Sequence, residues 1–309
     1  MPLHVGRASV ITLKTMPYIL LRLLIYSLFA FGLMIYFWIV YGIGQAALHW
    51  HENARIGVWI VGLILPFPIT RLLREYVLYV LRAGHVAVIT ELATTGHLPE
   101  GMGQIAWGRQ QVFKTFKEVS VLFMVDRLVL GVINSINGIM QTMGNVFSAV
   151  PGIQGLIRFA QVILKFSLTY VDEAILARNF RMKNETVWQS AQSGLILYAQ
   201  SWKEIVQAAI FLGFAAIFSY GVLLILFLIP LWGVGVTYPD FKLFFIGAAF
   251  LLAWAVKLAL FDPWAMTNMI LVYLTVTEGK TPDPAWEAKL ESISGKFKKI
   301  QTQALQTLP

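Results

Sequence analysis

Apolar residues fill this chain in runs long enough to cross a bilayer, and polar residues gather in short connections or in rows along single helical faces. A hydrocarbon core about 30 Å thick takes roughly 20 residues of helix. On that measure the pattern predicts six transmembrane helices, over residues 18–48, 56–80, 119–142, 155–178, 205–229 and 243–262. Pro66 and Pro68 interrupt the second, and a lipid-embedded proline frees carbonyls that neighbouring protein has to satisfy, so a kink packed against other helices is expected there. Pro230 is expected to end the fifth, before a loop containing Gly233 and Gly235. Lys257, Asp262 and Pro263 interrupt the sixth and leave Trp264–Val276 as the cytoplasmic extension of a broken helix.

Outside these runs the periodicity changes. The segment from Gln104 carries Trp107, Val112, Phe113 and Phe116 on one side and Arg109 and Lys114 elsewhere, the pattern of a helix lying on a membrane surface. The segment with Trp188, Ala191, Leu195, Tyr198 and Trp202 on one face reads the same way. In the tail, Asp283 caps a helix beginning at Pro284. Leu290, Ile293, Phe297, Ile300 and Ala304 then form an apolar stripe opposite Lys289, Lys296 and Lys299. The expected fold is an all-α, polytopic membrane bundle with interfacial amphipathic helices. Residues 1–278 form its transmembrane domain and 279–309 a cytoplasmic amphipathic tail.

The third and fourth predicted spans differ from the others by carrying polar rows. Ser120, Arg127, Asn134, Asn137, Gln141, Asn145 and Ser148 fall at spacings of three, four and seven. At ~100° per residue they share one helical face. Arg158, Gln161, Lys165, Asp172 and Asn179 make a second row, with Thr169 near its edge. Such rows suit a hydrated pathway or a polar helix interface. An interhelical hydrogen bond in a bilayer is worth only ~0.6 kcal/mol, and seven polar residues exceed what one packing contact needs. The pathway-lining candidates are therefore Asn134, Asn137, Gln141, Asn145, Arg127, Lys165 and Asp172. A charge at the bilayer centre costs at least ~2.5 kcal/mol, so Asp126, Lys257 and Asp262 are expected to be structural charges with partners. Asp172 and Glu173 are adjacent and diverge by ~100° on a helix, which makes them a solvated helix end rather than a catalytic dyad.

Composition agrees with a membrane protein. Charged residues are 13% of the chain, against about 25% in soluble domains. Cysteine is absent, which excludes disulfides, thiolate nucleophiles and cysteine-based metal centres. The net charge of +8 is a membrane signal rather than a nucleic-acid one, because Lys and Arg flank the apolar runs. With both termini in the cytoplasm, the opposite-side loops hold only Arg55 and Lys242 of the 24 basic residues. The apolar run from Ile19 to Leu48 is too long for a signal peptide and reads as a retained first helix, in a bacterial inner membrane. His49, His51 and Glu52 lack a further ligand and read as a polar turn, so no metal is expected. No zincin, phosphate-loop or nucleophile-elbow motif occurs, so neither enzyme activity nor a cofactor is expected.

From about Lys165 onward the order of features resembles the choline transporter-like (solute carrier 44) family. The matching pieces are Thr169-Tyr170-Val171-Asp172-Glu173-Ala174-Ile175-Leu176-Ala177, then Ser190-Ala191-Gln192 and a long span. Phe261-Asp262-Pro263-Trp264-Ala265-Met266-Thr267-Asn268-Met269-Ile270 follows, running into Thr277-Glu278-Gly279-Lys280. The resemblance covers less than half of the chain and implies transport of a small organic cation, with no binding residues carried over. The expected function is a transporter or oligomeric channel for such a cation or an ion, with the third and fourth spans lining its path. The alternative is a non-transporting membrane scaffold or assembly partner that uses the same rows for helix or subunit packing. The partners expected are the lipid bilayer, further copies of the chain and that small cation or ion, with no nucleic acid.

Overall fold

The computed structural model describes residues 3–47, 49, 51–116, 119–147 and 170–307. Every regular element among them is helical: α1 Val5–Lys14, α2 Met16–Ala47, α3 Glu52–Ile64, α4 Pro66–Thr95, α5 Gln104–Phe116, α6 Val119–Phe147, α7 Val171–Arg181, α8 Val187–Gln200, α9 Trp202–Thr237, α10 Lys242–Val256, α11 Asp262–Val276, α12 Pro284–Ile293 and α13 Gly295–Gln306. A π-helical turn, Lys257–Phe261, joins α10 to α11. The chain divides into two compact units. Unit 1 is Met1–Met16, Arg82–Ala215 and Trp264–Pro309, and unit 2 is Pro17–Leu81 and Ala216–Pro263.

Three helical stretches are long and apolar enough to cross a membrane: Met16–Ala47, Trp202–Thr237 and Pro239–Val276. Only 11%, 17% and 28% of their most apolar windows is buried within the protein. Leu20, Leu24, Leu28, Phe31 and Ile35 on α2, and Ile217, Phe218, Val222, Ile225 and Leu226 on α9, stand exposed. Contiguous apolar surface on this scale belongs to a chain solvated by lipid. The six expected spans are thus represented by three such helices, or four if the bent pair α5 and α6 is one span. The expected second span is split between α3 and α4 at Leu65, with Pro66 opening α4, where a missing N–H costs least. Residues 155–169 of the expected fourth span lie outside the described residues.

Pro230 does not end the fifth span. α9 continues through it to Thr237, taking in Gly233 and Gly235. In an apolar medium an unfolded turn would expose more unpaired backbone than one proline removes.

Unit 2 closes on glycines. The Cα of Gly62 in α3 lies against the Val40 side chain of α2, and Gly44 lies against the indole of Trp59. A Cβ at either position would collide with those side chains, so the two helices approach more closely than larger residues allow. The Tyr36 hydroxyl donates to the Gly62 carbonyl at 2.9 Å. Tyr41 stacks on Trp59 at 6.1 Å and donates to the Asp240 carbonyl at 3.0 Å. Tyr26, Ala30, Leu78, Ala255 and Ala259 form a common core.

The charges predicted to be structural in the last span meet each other: Lys257 Nζ and Asp262 Oδ1 are 2.6 Å apart. Residues five apart on an α-helix point ~140° apart. The intervening π-turn narrows that angle by widening the repeat to i→i+5. Pro263 follows as the second residue of α11.

Unit 1 has a packed core of its own. α8 is its centre, contacted by α6, α7, α12 and α13, and α6 also meets α5, α7, α12 and α13. The segment expected at the membrane surface, α8, instead buries Trp188, Ala191, Leu195 and Tyr198 together with Ser190, Ile196, Leu197 and Ala199. The tail stripe docks here, with Leu290, Phe297, Ile300 and Ala304 all buried, as two helices that break at Ser294.

The 257–262 pair generates a prediction. Both side chains are about 15% exposed, and removing one partner of a buried pair typically costs about 3–5 kcal/mol. Lys257→Met or Asp262→Leu alone should therefore lower the thermal midpoint sharply, whereas the double variant recovers most of it. A double variant no better than the worse single would show that the pair is not what holds this turn.

Candidate functional site

The N-terminal turn of α7 is where the sequence and the structure part most informatively. This eleven-residue helix lies against α5, α6 and α8. Val171, Ala174, Ile175 and Ala177 are buried on several of its faces, so its two acidic residues are carried inside with them. Asp172 and Glu173 are 7% and 5% exposed, not solvated as expected. Glu173 Oε1 meets Arg82 Nη1 of α4 at 3.1 Å. Asp172 Oδ1 finds no hydrogen-bond partner among the described residues, nor do the amide atoms of Asn179, one row-spacing along the same face. The hairpin that holds α7 in place is specific. Thr186 caps α8 in a reciprocal capping box with Gln189. The Arg178 guanidinium donates to Ser193 Oγ at 3.1 Å and pairs with Glu185 Oε1 at 3.3 Å. The Tyr273 hydroxyl donates to the Gly194 carbonyl at 3.0 Å.

Burial pushes the Asp172 carboxyl well above the usual carboxylate range. The negative charges of Glu173 and Asp126 push it the same way, and Arg82 opposes them. Among the described residues, Asp172 thus feels two other carboxylates and the guanidinium of Arg82. Such a set binds a proton, or a cation that replaces it, more readily than an isolated exposed acid does. Among the described residues no three His, Asp or Glu side chains converge as a metal site.

The polar row of α6 lies on a different face of that helix. Leu122, Val125, Val129, Val132, Ile133 and Ile136 are buried, and Ser120, Arg127 and Asn134 are exposed on the other side. The Arg127 guanidinium lies 4.8 Å from the centre of the Phe123 ring. Next to Asn134 the row meets the tail, where Ser135 Oγ donates to Ser294 Oγ at 3.3 Å or to the Gly131 carbonyl at 3.0 Å. The Lys296 side chain lies over the Cα of Gly131. A cavity of about 600 Å³ opens here between α6 and the start of α13.

The predicted site residues therefore separate. Asp126 and Asp172 share one electrostatic environment, with Glu173 and Arg82. Arg127 and Asn134 stand on the outer face of α6, and Lys257 and Asp262 neutralise each other in unit 2. Asn137, Gln141 and Asn145 belong to α6, but their side chains, like the whole of Lys165, lie outside the described residues.

Sequence reasoning missed Arg82 and a buried polar chain in unit 1. His85 Nε2 is 2.9 Å from Thr15 Oγ1, Thr15 donates to the Thr12 carbonyl, and Thr12 donates to Thr267 Oγ1 at 3.3 Å. Trp264 Nε1 donates to Ser9 Oγ at 3.0 Å. The signal available was the three-residue spacing of Ser9, Thr12 and Thr15, a polar face on a short helix.

No family model, curated protein or solved structure matches the chain.

A pH dependence follows from the raised affinity of Asp172 for its proton. Above the ordinary aspartate range of about 3.9 the folded chain holds a proton that the unfolded chain has lost. Stability gained from that group is complete below this range and falls as pH rises through the folded-state value. Asp172→Asn should flatten the decline in thermal midpoint between about pH 4.5 and pH 8 and raise the midpoint at the alkaline end. Glu173→Gln, which removes one partner of Arg82, should lower the stability by about 1–3 kcal/mol. An unchanged pH profile in Asp172→Asn would remove Asp172 as the titrating group.

Proposed function

We propose that the protein is a non-transporting membrane assembly partner. Unit 2 anchors it in the bilayer, and the polar outer face of α6 is an interaction surface. The observation that carries this reading is the placement of the polar row. It lies on an amphipathic helix whose apolar side is covered by α8 and α13, within the unit that also holds the docked tail. A row lining a membrane path would instead need lipid or other spans on its apolar side.

On this reading the chain crosses the bilayer four times. The crossings are α2, α3 with the first half of α4, α9, and α10 with the π-turn. Both termini are cytoplasmic, and the membrane is the bacterial inner membrane. Basic residues support the even count, because the connections around Arg55 and Lys242 are the only ones left on the far side. The absence of native cysteine makes the topology directly measurable. Asn53→Cys should react with an impermeant maleimide in cells whose outer barrier alone is opened. Gly144→Cys and Asn184→Cys should react only after the inner membrane is permeabilised. Labelling of Gly144→Cys from outside would restore the six-span arrangement, in which the connection after the third span is external.

A second reading, transport of a small organic cation, is favoured by one observation. Among the described residues the carboxylates of Glu173 and Asp126 act on that of Asp172 against the guanidinium of Arg82, and a cluster of carboxylates is complementary to a cation. The likeness of the C-terminal half to the choline transporter-like family points the same way. Proteoliposomes separate the two readings. For assembly, choline uptake stays at the level of empty vesicles for the wild type and for Asn134→Leu, while Asn134→Leu alters the oligomeric mass in detergent. Uptake above background that Asp172→Asn abolishes in a folded protein would establish transport instead.

A further inference from the structure

We propose that the groove between α6 and α13 binds an anionic amphiphile, a molecule with one phosphate or carboxylate head and a single alkyl chain. Two cavities adjoin along this groove, of about 600 and 320 Å³, and Lys299 lines both. The larger carries the polar and basic side chains of Asn134, Ser135, Ser294, Lys296 and Lys299 beside that of Ile293. Met124 and Leu128 form the apolar wall of the smaller. The groove therefore changes from cationic to apolar along its length, with a lysine at the junction.

Several details fit a head group at the basic end. No carboxylate of the described residues lines either cavity. Neither Lys296 nor Lys299 pairs with an acid among the described residues, whereas the neighbouring Lys298 faces Glu291 at 3.9 Å. Two ammonium groups on one wall, unneutralised by the protein, suit an anion. Ser294 is only 3% exposed, and its hydroxyl accepts from Ser135, which leaves its own proton to donate. Gly131 matters because it has no Cβ. The Lys296 stem crosses directly over it, where any larger residue would force the lysine away.

The other end fits a chain. Met124 is an exposed large apolar residue on α6, and Met suits chains of varied shape because its side chain is flexible and polarisable. Met124 and Ser135 are separated on α6 by ~16 Å at 1.5 Å per residue, the reach of an alkyl chain of roughly ten to twelve carbons. A free inorganic anion would leave this half of the groove unused, and a neutral detergent would leave the lysines unmatched. The inference stands on the groove alone and does not depend on the choice between assembly and transport.

The test uses the full chain in a neutral maltoside detergent, with dodecyl phosphate as the probe and native mass spectrometry as the readout. One equivalent should bind, and Lys296→Gln with Lys299→Gln should weaken it at least tenfold. Met124→Glu should weaken dodecyl phosphate without creating affinity for inorganic phosphate. All three positions are exposed, so helical content by circular dichroism should be unchanged. Competition by lysophosphatidylglycerol, which has one acyl chain, would assign the natural ligand to a membrane lysolipid, and its failure would assign it to a free acyl or alkyl anion. Either supports the class of ligand. Equal binding to the lysine double variant, or displacement by inorganic phosphate at the same concentration, would overturn the proposal.

Discussion

A carboxylate removed from water needs a countercharge, a proton or a full set of hydrogen bonds, and α7 brings two carboxylates into the interior of unit 1. Glu173 is met by Arg82, so that one ion pair ties α4 to α7 across a sequence separation of 91 residues. Asp172 is left with unpaired oxygen inside the same packing. The helices around it depend on how that charge is handled. α6 contributes Asp126 to the field, α8 forms the other half of the hairpin, and α11 holds the hairpin through Tyr273. Unit 2 meets the same constraint differently. There Lys257 and Asp262 cancel locally, within one π-turn.

The strongest sequence signals were those that depend on lipid. α2, α9 and the 239–276 stretch were legible because an apolar run of that length has few uses other than crossing a membrane. Ambiguity arises where a protein core imitates lipid. α6 lacks charge from Leu128 to its end and is apolar on one side, which hydropathy cannot distinguish from a span when that side packs under α8 and α13. α8 was read as interfacial for the same reason. Its face of Trp188, Leu195 and Tyr198 was visible, but the burial of Ser190, Gly194 and Ala199 on its other faces depends on residues far along the chain. The apolar stripe of the tail was visible, yet the break at Ser294 was not, since nothing around Ser294-Gly295 interrupts the periodicity.

The candidate site was legible only in part. Asp172 and Asn179 were placed on one face by their seven-residue spacing, and both are buried. Glu173, adjacent to Asp172, was expected to point to solvent because neighbours on a helix diverge. That inference fails on a helix buried on several faces. The partners that give these residues meaning come from α4 and α6, and those encounters leave no local trace. The meeting of Lys296 with Gly131 is of the same kind: the glycine looked like one more small residue on an apolar helix, and its purpose appears only when α13 lies across it.

The contrast between the two sets of charges separates structure from function. Lys257 and Asp262 remove each other's cost, so stability alone accounts for their presence. Asp172 does the opposite. It adds a negative group beside Glu173 and Asp126, whose charges outweigh that of Arg82 in raising its proton affinity, at a position where asparagine has the same shape and no charge. The lysines of the α6–α13 groove repeat the imbalance with the other sign, on a surface where glutamine would pack equally well. An uncompensated charge that isosteric neutral residues could replace is a cost without a structural return, and a ligand or a proton is what balances it.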